Sequence, residues 1–73
     1  MASVNVESEV TGKVWKIEAN VGDNVSEGDV LMILESMKME IPVESPVSGI
    51  VRELLVRKDD SIDEDQVIAV IEP

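Results

Sequence analysis

Few of the 73 side chains can do chemistry, because the chain holds no His and no Cys. Without His, the usual general base and the usual zinc ligand are missing. Without Cys, disulfides and thiolate–zinc sites are impossible. Chemistry must therefore come from Lys, Ser or carboxylates, or arrive with something attached. The most specific local sequence is Glu35-Ser36-Met37-Lys38-Met39-Glu40. A Lys in a surface turn is ordinarily just a solvated side chain. Here it stands between two methionines, which a polar turn normally avoids. Methionine is flexible and polarizable, suited to a mobile apolar group or a partner surface.

The other candidates read as structure. The acidic run Asp59-Asp60-Ser61-Ile62-Asp63-Glu64-Asp65 invites a metal, but a calcium loop wants Gly at its sixth position and Glu at its twelfth. Counted from Asp59, those places hold Glu64 and Val70. The run is read as a solvated acidic turn, with no metal site. Trp15, the single aromatic, is expected to be partly buried against a sheet edge. Arg57-Lys58 is the one pair of adjacent basic residues, too little for a nucleic-acid patch. A formal net charge of −10 also argues against nucleic acid, since phosphate contacts need clustered Lys and Arg.

The elements that must position Lys38 are strands. Hydrophobic residues make up 44% of the chain, too many for an acidic disordered tail. Most are Val and Ile, which suit pleated, half-buried surfaces. No apolar run approaches the roughly 20 residues that span a bilayer. The start, Met1-Ala2-Ser3-Val4, has no basic region and no apolar core of a secretory signal. The expectation is a soluble, cytoplasmic, all-β domain, a monomer on its own, spanning 1–73.

Laid on itself with a shift of 37 positions, the chain repeats without a gap, 4–36 falling on 41–73. Val6-Glu7-Ser8 matches Val43-Glu44-Ser45; Val10, Gly12 and Val14 match Val47, Gly49 and Val51; Asp23, Glu27 and Glu35 match Asp60, Glu64 and Glu72. Each half reads as about four short strands: near Val4–Val6, Gly12–Ala19, Val25 and Val30–Leu34, then near Val43, Gly49–Val56, Ile62 and Val67–Ile71. Pro42 and Pro46 belong at strand edges or ends. Half a repeat cannot bury a core alone. The solution is a flattened barrel or sandwich of two four-stranded antiparallel sheets with pseudo-two-fold symmetry. The joint, 35–40, is then a tight hairpin turn at one pole, with Lys38 at its tip and the chain ends at the other pole. Asp59 and Asp65 stand where the first half has the turn glycines Gly22 and Gly28, and Asp is among the few residues that tolerate positive φ.

Met37-Lys38-Met39, preceded by Glu35-Ser36 and set between two similar β halves, resembles the biotinyl domain of biotin-dependent carboxylases. The likeness is nearest to the stand-alone biotin/lipoyl attachment proteins and covers essentially the whole chain. Pro46-Val47-Ser48-Gly49-Ile50-Val51, Val21-Gly22-Asp23-Asn24-Val25 and Gly28-Asp29-Val30-Leu31 resemble the family's other runs. The resemblance implies biotin amide-linked to Lys38, with Glu35, Ser36, Met37, Met39 and Glu40 as flanking recognition residues. It implies a non-catalytic carrier, loaded by a biotin protein ligase and shuttling a carboxyl group between biotin carboxylase and carboxyltransferase sites. About ten bonds would separate the Lys38 Cα from the ring, a reach of roughly 12 Å. The longer thumb insertion of some carriers is missing. Lipoate on the same Lys is the alternative cofactor, although lipoyl domains usually carry Asp before the Lys and Ala after it. A phosphopantetheine carrier would need an Asp-Ser-Leu-like serine at a helix start, and Ser36 stands in Glu-Ser-Met. An unmodified structural adaptor is the remaining alternative.

Overall fold

The computed structural model describes residues 2–73; Met1, part of the start read above for a secretory signal, lies outside the described residues. Eight strands follow in order: β1 (Val4–Glu7), β2 (Gly12–Ile17), β3 (Asn24–Val25), β4 (Val30–Ser36), β5 (Met39–Glu44), β6 (Gly49–Leu54), β7 (Ser61–Ile62) and β8 (Val67–Glu72). They form two four-stranded antiparallel sheets, β1-β8-β6-β3 and β5-β4-β2-β7. The all-β expectation and the two-sheet arrangement hold, and no helix among the described residues is long and apolar enough to cross a membrane.

Each sheet takes two strands from each half of the chain, which is how the repeat buries a core that neither half could bury alone. The symmetry is kept to the residue. Lys13↔Glu35 and Val14↔Leu34 between β2 and β4 recur 37 positions on as Ile50↔Glu72 and Val51↔Ile71 between β6 and β8. The bulges recur too, between Val14 and Lys16 and between Val51 and Glu53. Val14, Leu31, Met32, Leu34, Val51, Ile68 and Ile71 are wholly buried between the sheets. Each such side chain contributes about 1.5–3 kcal/mol by leaving water. The two buried hydroxyls are also mates. Ser8 Oγ donates to the Val10 carbonyl and Ser45 Oγ to the Val47 carbonyl, each at 2.6 Å.

The turn substitutions behave as the sequence implies. Gly22 and Gly28 sit at φ 95° and 92°, and Asp59 and Asp65 take the same left-handed region at 76° and 69°. The reason is the same in both halves. The Gly22 N–H donates to the Val51 carbonyl at 2.8 Å, and the Asp59 N–H to the Val14 carbonyl at 2.7 Å, so the turn must bend back to reach across. Asp59→Gly is expected to raise stability by about 0.5–1 kcal/mol, since glycine relieves the left-handed backbone. Urea unfolding checks this; a lowered midpoint would contradict it.

The long strands differ from expectation at their ends. β2 stops at Ile17, because the Glu18 and Ala19 N–H groups both turn onto the Leu31 carbonyl, at 2.9 and 3.1 Å. β5 is longer than expected and contains Pro42 in its middle, which is tolerated because β5 is an edge strand. Trp15, expected to be partly buried against a sheet edge, is instead exposed at 43%. It sits on an inner strand, at the β2 bulge, and β7 extends only past Gly12 and Lys13.

Candidate functional site

The joint between the halves is narrower than 35–40. β4 runs through Ser36 and β5 starts at Met39, so Met37 and Lys38 alone form the turn. Both have positive φ, 52° and 66°. That is the backbone of a two-residue primed hairpin, whose twist matches the flanking strands and which usually employs Asn-Gly. Met and Lys here stand in a left-handed conformation that costs each roughly 1–2 kcal/mol. Such a conformation persists only where the surroundings over-determine it.

Three features hold the hairpin. The β4–β5 ladder continues to Glu35↔Glu40 and Ser36↔Met39. Ser36 Oγ donates to the Thr11 carbonyl at 2.7 Å. Beneath it, Gly12 lies so close that an added Cβ would collide with the Glu35 carbonyl oxygen. Thr11 is fixed in turn by its hydroxyl, which accepts the Glu64 N–H at 3.3 Å. The support therefore comes from the β1–β2 connection. Thr11 was not singled out by sequence reasoning, and Gly12 entered only as a repeat match. The available signal was Gly12 itself, matched by Gly49, at the head of a strand.

Every candidate residue gathers at this pole. Met37 is 89% exposed and Met39 60%, and Glu35, Lys38 and Glu40 are exposed as well. Ser36 is half-buried against Thr11. The ion pairs among the described residues are Lys13–Asp59 (3.7 Å), Lys16–Glu18 (3.2 Å) and Arg52–Glu72 (3.9 Å), and Lys38 is in none of them. The acidic run is used in turns, where Asp60 Oδ2 accepts the Arg57 N–H at 2.8 Å and Gln66 Oε1 the Asp63 N–H at 3.0 Å. Among the described residues, no group of His, Cys, Asp or Glu could hold a metal ion. The arrangement presents one primary amine on a stiff tip, flanked by soft apolar side chains, with no imidazole to act as its base. It suits attachment chemistry performed by another protein, and the open approach to Lys38 fits a long amide-linked group.

The model of a family described as biotin-requiring enzymes, with its biotin/lipoyl domain, matches residues 2–71. The chain belongs to this biotin/lipoyl family. Over 67 residues it is 45% identical to a Mycobacterium leprae protein described as a biotinylated protein, TB7.3 homolog, covering 92% of this chain and 94% of that one. It is 38% identical over 65 residues to the biotin/lipoyl attachment protein of Bacillus subtilis, covering 89% of each. Among solved structures, the Kluyveromyces lactis urea carboxylase matches 99% of this chain with a TM-score of 0.94 and 38% identity. The match takes in only 6% of that enzyme's chain. The biotin/lipoyl family thus includes relatives of about this length and much longer ones with one such segment.

Proposed function

We propose that this protein is a non-catalytic carrier that holds biotin in amide linkage on Lys38 and moves it between enzyme sites. The observation that carries the reading is the left-handed Met37-Lys38 tip, fully outside the sandwich and anchored through Ser36 and Gly12. Strain held in place at an exposed lysine points to presentation of that lysine. A biotin protein ligase would supply the base and the activated biotin carboxyl. The Lys38 amine would attack that carboxyl, form the amide and release the activating group. Bound biotin supplies a ring that can carry a carboxyl group. The chain's own part is to keep the attachment point stiff and the approach open. The match to a urea carboxylase segment supports biotin carboxylase and carboxyltransferase components as partners. Lipoate is the second reading, favoured by the relative whose name covers both groups.

Intact mass of protein purified from its own host tests this. A fraction heavier by one biotin amide, captured by streptavidin, is expected. Attachment removes one positive charge, taking the formal net charge from −10 to −11, so that fraction focuses at a more acidic pH. A species recognised by a lipoyl-specific antibody instead would select the second reading. Protein wholly unmodified in cells with active biotin and lipoyl ligases would end the carrier reading.

A further inference from the structure

The internal symmetry is a built-in control. What the sandwich needs for folding appears in both halves, so a feature of one half alone asks for another explanation. The outer faces of the mated strands β2 and β6 differ in this way. On β2 stand Lys13, Trp15 and Lys16, where β6 carries Ile50, Arg52 and Glu53. Lys58 joins the β2 face from the turn before β7, and its mate in the other half is Val21. Trp15, Lys16, Ile17 and Lys58 line one shallow cleft of about 500 Å³. In a chain of net charge −10, two of its six basic residues, Lys16 and Lys58, line a cleft with its one aromatic, and Lys13 stands on the same strand.

These groups are available. Trp15 is 43% exposed, and the side chains of Lys13 and Lys16 are 55% and 60% exposed in their ion pairs. Exposed pairs of that kind hold their lysines weakly. Lys58 is exposed and in none of the ion pairs among the described residues. Tryptophan is among the residues that dominate binding energy at interfaces. A cation-rimmed aromatic face on an otherwise acidic molecule complements carboxylates on its partner and disfavours basic surfaces there.

The face also lies on the right strand. β2 pairs with β4, which ends in the hairpin, and Trp15 is level with Leu34 and Ile33, four residues before Lys38. At strand spacing that is about 13 Å from the tip. β6, by contrast, leads to Glu72 and to the pole where Arg52 meets Ser3. An enzyme that acts on the bare Lys38 amine has only the length of a lysine, about 6 Å, between its active site and this backbone. A standard interface of about 800 Å² a side has a radius of roughly 16 Å, so one centred on the tip covers Trp15. An enzyme that meets the loaded arm has a longer lever and need not come so close.

We propose that the Trp15–Lys16–Lys58 face is the docking surface for the biotin protein ligase, received by a carboxylate-bearing, partly apolar surface beside that enzyme's active site. This rests on the carrier reading of Lys38. The test uses the full chain and the ligase of its own host. Lys16→Glu combined with Lys58→Glu, and separately Trp15→Ala, are expected to raise KM for loading about tenfold or more while kcat stays within about twofold. Arg52→Glu, on the mated β6 face, is expected to leave KM unchanged. Because Trp15 is the only tryptophan, 5-fluorotryptophan labelling gives one ¹⁹F signal, expected to shift when ligase is added to unloaded carrier. An unchanged KM in the charge-reversed variant, an equal loss in Arg52→Glu, or a ¹⁹F signal indifferent to ligase would overturn the proposal. So would a signal that moves on biotin attachment alone, which would make Trp15 a resting place for the arm. Wild-type chain that no ligase loads would instead remove the carrier reading beneath it.

Discussion

Lys38→Arg is expected to abolish biotin attachment completely while leaving the fold in place. The argument is chemical. Arginine keeps the positive charge and a long unbranched stem at φ 66°, so the exposed tip is scarcely disturbed. Surface changes of this kind stay within about 0.5 kcal/mol. A guanidinium is always protonated in proteins and is no nucleophile for an acyl group. The chain has three other lysines, Lys13, Lys16 and Lys58, but Lys13 and Lys16 are on β2 and Lys58 lies in the turn before β7. None stands on a two-residue primed tip. Streptavidin capture and intact mass should therefore show no loaded fraction, with circular dichroism and urea midpoint unchanged. Loading that persists on Lys13, Lys16 or Lys58 would mean that the hairpin is not the address.

The second large effect is expected from a pair of glycines. Gly12→Ala drives a Cβ into the Glu35 carbonyl oxygen, and Gly49→Ala does the same at the Glu72 carbonyl oxygen. Both obstacles are backbone, which cannot step aside as the end of a flexible side chain would. Overpacking of this sort costs about 1–3 kcal/mol. A domain of this size has only about 4–11 kcal/mol in total. The two substitutions should lower stability by similar amounts, since their surroundings are symmetry mates. Their effects on loading should differ. Gly12→Ala pushes on β4, the strand that leads into the Met37-Lys38 turn, under the Ser36–Thr11 bond, whereas Gly49→Ala pushes on Glu72 and Pro73 at the far pole. Loading rates corrected for the folded fraction should fall for Gly12→Ala and hold for Gly49→Ala. Equal rates would show that the hairpin tolerates displacement.

Much of this was legible in the residues because the repeat is gap-free. A single shift of 37 positions locates the joint, the strands and the mates of Gly22 and Gly28, down to the left-handed Asp59 and Asp65. What the repeat could not reveal was anything that depends on contacts between distant residues. The turn shrank from 35–40 to Met37-Lys38 because Glu35↔Glu40 and Ser36↔Met39 remain paired. The apolar strand pattern ends at Leu34, so the sequence alone assigns the whole of 35–40 to the tight hairpin turn. The Ser36–Thr11 bond joins residues 25 apart, and no local propensity announces it. Pro42 argued for a strand edge, which β5 is, but not for a strand as long as Met39–Glu44. From its neighbours Trp15 reads as partly buried against a sheet edge, whereas it stands exposed on an inner strand. That it shares a cleft with Lys58 follows only from the Asp59 N–H reaching Val14.

The interleaving of the two halves has a consequence for when Lys38 could be loaded in the proposed carrier. β1 pairs with β8, the first strand with the last, and β4 lies between β5 and β2 while its buried side chains share one core with those of β6 and β8. Such long loops must close before their contacts repay the entropy, so the sandwich assembles late. In a chain growing on the ribosome, Lys38 emerges before Val67–Glu72 are free to pair with β1 and β6. In that interval the lysine is a flexible side chain on an unfolded segment, without its left-handed tip. Under the proposed carrier function, a ligase that reads the folded hairpin would thereby be timed to act only on closed sandwiches, and attachment would report that the fold has closed.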